Sequence, residues 1–152
     1  MKTQTERLIK SNNETIYKAF LNQDMVVQWL PPDEMTGLVH EFDASEGGVF
    51  RITLRYDEKA SSQSGKTSDN EDTFQGYFDE LIPNQKIVQI VTFESDDPAF
   101  AGEMTMTITL TERNDGTQVT VVCENIPQGI RPQDNAAGWS SSLDKLAKLV
   151  ED

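Results

Sequence analysis

The spacing of apolar residues changes period twice along the chain, and those changes set the order of its elements. Lys2 to Lys10 alternate loosely, with Leu8 and Ile9 as their aliphatic residues, and predict a first strand. Ser11-Asn12-Asn13-Glu14 has the spacing of a capping box, in which a Ser hydroxyl and a Glu carboxylate each satisfy an unpaired backbone N–H. A helix is expected to begin there, with Ile16, Ala19 and Phe20 on its apolar face. Asn22-Gln23-Asp24 interrupts it, and a second short helical segment runs from Met25 to Leu30 with Val26 and Trp29 together. Pro31-Pro32 ends this region, because the residue before a proline is pushed out of the helical basin.

From Glu34 onward the period is two. Strands are expected at Met35–Asp43, Val49–Glu58, Thr73–Ile82, Lys86–Glu94, Glu103–Arg113 and Thr117–Asn125, about six in all by alternation. Phe50, Ile52, Leu54 and Tyr56 share one face and Arg51, Thr53 and Arg55 the other, as an antiparallel sheet with one wet face requires. Glu46-Gly47-Gly48, Pro83-Asn84-Gln85 and Asn114-Asp115-Gly116 read as turns. Ala60 to Asp72, rich in Ser, Gly, Lys and Asp, reads as a long mobile loop, and Asp96-Asp97-Pro98 lies in a surface loop.

Over Pro132 to Asp152 the period lengthens to 3.6, with Trp139, Leu143, Leu146 and Val150 on one stripe. Pro132 suits a first helical position, and Asp134 sets negative charge in the first turn against the helix dipole. Gly138, inside the helix, suggests that another backbone or a ligand comes close. A sheet with one apolar face must cover it, and this is the only long apolar-striped helix available. The predicted fold is therefore α+β: a curved antiparallel sheet wrapped around a long C-terminal helix, with two short helices after the first strand. Residues 1–152 are expected to form a single domain.

Composition narrows the chemistry. With 26 acidic against 13 basic residues and a formal charge of -13, the chain would be repelled by a phosphate backbone or an anionic membrane surface. No run approaches membrane-spanning length and no secretory signal is evident, so a cytoplasmic location is expected. The single cysteine, Cys123, excludes an intrachain disulfide, and the single histidine, His40, excludes a multi-histidine metal site. Cys123 is in phase with Val119 and Val121 and reads as a small buried hydrophobe. Gly47-Gly48 lacks the lysine and following helix of a phosphate loop. Arg51, Arg55 and Glu80 read as solvated strand positions. No catalytic residue, metal or cofactor is assigned.

A ligand cavity has more support. Phe50, Phe78, Phe93 and two methionines lie in the apolar phases, and Met is adaptable enough to line an accommodating pocket. Gln89 shares the phase of Ile87, Val91 and Phe93, so either it is a polar handle inside a cavity or the face is assigned the wrong way round. The candidate ligand-binding residues are Trp29, Phe50, Ile52, Phe78, Gln89, Val91, Met106, Trp139 and Leu143.

Several stretches resemble a known family. Ile16-Tyr17-Lys18-Ala19-Phe20 after Ser11, Trp29-Leu30-Pro31, Gly47-Gly48-Val49-Phe50-Arg51 and Gly76-Tyr77-Phe78-Asp79-Glu80-Leu81-Ile82-Pro83 follow one another in the order of its signatures. So do Gly116-Thr117-Gln118-Val119-Thr120 and Gly138-Trp139-Ser140-Ser141-Ser142-Leu143-Asp144-Lys145-Leu146. Together they resemble the heat-shock protein 90 ATPase activator-like domain of the helix-grip superfamily, also called START-like or SRPBCC. The resemblance implies a sheet gripping the C-terminal helix, with a cavity between them that often accepts an apolar small molecule. Non-enzymatic binding of a small apolar or aromatic ligand is thus the first expectation. Regulation of the chaperone's ATPase, or another protein-partner role, is the alternative. Members that activate the chaperone carry an additional N-terminal domain, whereas the grip elements here begin within the first few residues. A cyclase or dehydratase of the wider superfamily is the third reading and needs an acid or base inside the cavity. No nucleic-acid or membrane partner is expected, and monomer and homodimer both remain open.

Overall fold

The computed structural model describes residues 2–32, 35–56 and 71–151. Their elements are β1 (Lys2–Ile9), α1 (Asn13–Leu21), α2 (Gln23–Trp29), β2 (Met35–Phe42), β3 (Val49–Tyr56), β4 (Glu71–Ile82), β5 (Lys86–Phe93), a 3-10 turn (Pro98–Phe100), β6 (Met104–Arg113), β7 (Gly116–Glu124) and α3 (Pro132–Val150). The strands form one antiparallel sheet in the order β1-β7-β6-β5-β4-β3-β2. The fold is the α+β helix grip that the alternation predicts, with a curved seven-stranded sheet and the long helix at the C-terminus.

Chain-distant contacts hold α3 in place. Its closest backbone approaches are to β1, α2 and α1. Arg7 of β1 pairs with Asp144, and the Lys10 backbone N–H donates to Glu151 Oε2 at 2.9 Å. On the other side, Ser142 Oγ donates to the Leu30 carbonyl at 2.5 Å and Lys145 Nζ to the Pro31 carbonyl at 2.6 Å. These carbonyls end α2, where backbone acceptors lack partners within the helix. Leu143, Leu146 and Ala147 are fully buried on the inward stripe.

The start of α1 differs from the capping-box expectation. Asn12, not Ser11, is the N-cap: its Oδ1 accepts the Thr15 N–H at 2.7 Å. Asn caps as well as Ser does, and the one-residue shift frees Glu14 to pair with Lys18 one turn on, at 2.9 Å. The loop expectation also changes at its end. Residues 60–70 of the predicted loop lie outside the described residues, as do Asp57 and Glu58 of the predicted strand. Glu71 and Asp72, however, are part of β4, opposite Arg55 and Leu54. In period two, Asp72 falls in phase with Phe74 and Phe78, and its residue is buried.

Two irregularities shape the inner face. A bulge between Phe78 and Glu80 shifts the β4–β5 register, and another lies between Val39 and Glu41. Gly76, between Phe50 on β3 and Val91 on β5, leaves room for the Phe50 ring. A Cβ there would stand 1.9 Å from the Ile90 carbonyl oxygen and 2.9 Å from Phe50 Cζ. Replacing Gly76 by Ala is therefore expected to cost about 3 kcal/mol through overpacking. At Gly102, where φ is +99° and nothing lies within 4 Å, Ala should cost about 1 kcal/mol of backbone strain. Urea unfolding midpoints of the two variants check the order.

Candidate functional site

Because α3 packs toward the β1 side, the inner faces of β3, β4 and β5 are not closed by it. A cavity of about 820 Å³ lies there. β3 contributes Phe50, Ile52, Leu54 and Tyr56, the inward phase of an eight-residue strand. β4 adds Asp72 and Phe74, β5 adds Gln89, Val91 and Phe93, and β6 adds Met104 and Met106. The roof is Trp29 from α2 and Gly138, Trp139 and Ser142 from α3. Phe100 of the 3-10 turn also reaches the lining, held by the Gly129 N–H donating to the Ala99 carbonyl at 2.7 Å.

The walls are aromatic. Phe50 and Phe74 ring centroids are 6.4 Å apart, Phe74 and Phe93 6.2 Å, and both pairs meet edge to face. Trp29 and Trp139 are 6.4 Å apart. Trp29 is fixed by its indole N–H, which donates to the Ala19 carbonyl at 3.0 Å, and by Phe20 at 4.6 Å. Among the described residues, the nearest atom to a Cβ built on Gly138 would be the Pro32 side-chain Cγ at 3.8 Å. Among the described residues no other backbone comes close to this glycine, and its place is in the cavity wall.

Polar groups gather where β3 ends and α3 begins: Tyr56, Asp72, Arg131, Asp134 and Asn135 all reach the lining. Burial holds the Tyr56 phenol above its ordinary pKa, with the Asp72 and Asp134 carboxylates adding to the effect. It therefore stays a protonated hydrogen-bond donor at neutral pH. Asp134 Oδ2 lies 4.0 Å from Arg131 Nε, and Asn135 Oδ1 accepts from Thr3 Oγ1 at 2.6 Å. Behind Asn135 and Trp139, burial pushes the Cys123 thiol up, against the opposing effect of hydrogen bonding to Thr3, Asn135 and Trp139. Cys123 is fully buried beside Val119 and Val121.

Seven of the nine sequence-predicted residues line this cavity: Trp29, Phe50, Ile52, Gln89, Val91, Met106 and Trp139. Phe78 and Leu143 do not. Both are fully buried, and the Phe78 ring is packed between Phe42 at 5.7 Å and Phe50 at 5.2 Å. Tyr56 and Phe74 share the inward phase with predicted residues and could have been found by it. Asp72 was hidden by its loop-like neighbours, and nothing local marks Phe100 as a wall. On the opposite face of the sheet, His40 Nε2 is 2.8 Å from Thr53 Oγ1. Arg51 makes a two-pronged pair with Glu94 at 2.6 and 2.9 Å, Arg55 pairs with Glu71, and Glu80 pairs with Lys86. None of these lines the cavity. Among the described residues no group of His, Cys, Asp and Glu is placed to hold a metal ion, and no helix is long and apolar enough to cross a membrane.

A curved sheet that grips a C-terminal helix across an apolar cavity defines the helix-grip class. The family model described as activator of Hsp90 ATPase homolog 1-like protein matches residues 10–151. Among solved structures, protein CV1439 from Chromobacterium violaceum is 33% identical over 99% of this chain and 97% of its own, with a TM-score of 0.87. The chain belongs to the activator of Hsp90 ATPase homolog 1-like family. The AHSA1-like protein from Aeromonas hydrophila shares the fold at 18% identity over 99% of this chain and 92% of that one, with a TM-score of 0.72. DynU16, a putative protein in the dynemicin biosynthetic locus, shares it at 18% identity over 97% of this chain and 46% of that one, with a TM-score of 0.67. Comparison with curated proteins finds no match.

Two stability outcomes follow from this geometry. Replacing Trp139 by Ala should cost about 3 kcal/mol, the low end for a buried aromatic because part of the ring already faces a cavity. Calorimetry checks it. Hydrogen bonding from Arg51 lowers the Glu94 pKa, so its contribution is present above the unfolded value and is lost as pH falls through the folded one. Replacing Glu94 by Gln should therefore cost up to about 1 kcal/mol at pH 7. The two proteins should converge in stability as pH falls below the ordinary glutamate range and through the lowered folded value.

Proposed function

We propose that this protein binds a small apolar or aromatic molecule in the cavity between α3 and the inner face of the sheet, without catalysing its conversion. The observation that carries the reading is the cavity itself. Its volume of about 820 Å³ lies within the range of small-molecule sites, and its walls are apolar with a few polar groups converging at the edges, as such sites require. Trp29, Phe50, Ile52, Val91, Met106 and Trp139 supply the apolar contact and Gln89 a polar one. Phe78 and Leu143 support that wall from behind. The domain acts as one unit over residues 1–152.

A second reading, regulation of a chaperone's ATPase, is supported by the family description. A third, proton-transfer chemistry on a bound substrate, is supported by the ionisable side chains of Tyr56, Asp72 and Asp134 in the lining.

Titration with the neutral dye Nile red tests the binding reading. The dye should bind saturably at one molecule per chain with a blue-shifted emission. Ala137 is an exposed residue at the cavity wall, so Ala137→Trp should weaken binding while leaving the melting temperature close to that of the parent. Absence of saturable binding, or full binding to the Trp variant, would overturn the reading. Unchanged ATP turnover by the chaperone on adding this protein would remove the second one.

A further inference from the structure

The polar groups of the cavity are not scattered, and their placement restricts the ligand beyond "apolar or aromatic"; the inference rests on the binding reading above. Tyr56 and Gln89 both line the cavity. Among the described residues, neither the Tyr56 hydroxyl nor the Gln89 amide makes a hydrogen bond within the chain. A polar side chain in an apolar wall needs a partner, from solvent or from a bound molecule.

The sheet register places these two groups at opposite ends. Gln89 pairs with Phe78 on β4, and the Phe78 N–H in turn donates to the Gly48 carbonyl at 3.0 Å. Tyr56 lies eight residues further along β3 from that rung, roughly 25 Å of strand at about 3.3 Å per residue. The sheet curls, so the span across the cavity is shorter. From Gln89 to the rung of Leu54 and Asp72, the inward side chains of β3, β4 and β5 are Phe50, Ile52, Phe74, Val91 and Phe93, all apolar. The middle accepts a flat apolar body.

Charge limits what can sit at the Tyr56 end. Asp72 and Asp134 stand beside it. The positive end of α3 and Arg131 lie there too, with Asp134 in the first helical turn and its Oδ2 4.0 Å from Arg131 Nε. A ligand carboxylate at this end would stand among two carboxylates, Asp72 and Asp134, and one guanidinium, Arg131. A hydroxyl can accept from Tyr56 and donate to a carboxylate, and a carbonyl can accept from Tyr56. At the other end Gln89 offers both a donor and an acceptor, and no charge to neutralise an anion.

We propose that the ligand is an elongated aromatic molecule with an uncharged hydroxyl or carbonyl group at each end, one held by Tyr56 and the other by Gln89.

Competition against Nile red tests this with three lengths of rod: biphenyl, stilbene and p-terphenyl, each unsubstituted, with one para-hydroxyl, with one at each end, and with a carboxylate at each end. At the fitting length, each hydroxyl should tighten binding by about 2- to 10-fold, and the dicarboxylate should bind more weakly than the unsubstituted rod. Tyr56→Phe and Gln89→Leu should each remove the gain from one hydroxyl, read within each variant as the ratio of diol affinity to unsubstituted-rod affinity. If Nile red binds but no diol exceeds its parent rod at any length, or the dicarboxylate binds best, the proposal is overturned while the binding reading stands. If both variants keep the full diol advantage, the assignment of the two ends is overturned. Failure of Nile red itself to bind would instead remove the reading on which the proposal rests.

Discussion

The apolar face of the sheet is several times wider than the helix that covers it. Seven strands spaced about 4.8 Å apart span about 30 Å, whereas an α-helix with its side chains is about 10 Å across. The sheet can close part of the difference by curling, and α1 and α2 cover part of the rest. What remains lies over β3, β4 and β5, because the contacts that fix α3 are to β1 and to the two short helices. The cavity is a consequence of where α3 is tied.

Those ties are polar as well as apolar. Ser142 and Lys145 satisfy the Leu30 and Pro31 carbonyls, while Arg7 and the Lys10 N–H engage Asp144 and Glu151 on the opposite flank. Held from both sides, α3 cannot slide over the sheet to fill the gap without leaving hydrogen-bonding groups unpaired. Trp29 and Trp139 stand at the roof with fixed orientations, and the Phe50 ring is accommodated by the missing side chain of Gly76. The walls are therefore rigid aromatic surfaces, the kind that binds a flat apolar body with little reorganisation.

Much of this was legible in the sequence because periodicity reports faces directly. The period-two runs marked every strand after α2, and the stripe of Trp139, Leu143, Leu146 and Val150 marked the helix. The same alternation put Gln89 on the face of Val91 and Phe93, where the structure also has it. Periodicity does not report depth: Phe78 and Phe74 share a face, yet Phe78 is packed behind other rings and Phe74 stands in the cavity wall. Composition misled at Asp72, whose polar neighbours suggested a loop although its register continues β4. Phe100 was invisible for a different reason. Its place depends on Ala99 meeting Gly129, a contact between segments far apart in sequence.

The central claim is that the space left between α3 and the sheet is held for a small molecule. Native mass spectrometry of the protein purified from its own host, followed by denaturing release of whatever is bound, tests it most directly. The account predicts a reproducible adduct of small-molecule mass, at up to one per chain, which is lost when the chain unfolds. A protein that flies only at its bare chain mass from its own host, and takes up no apolar compound when offered one, would contradict it.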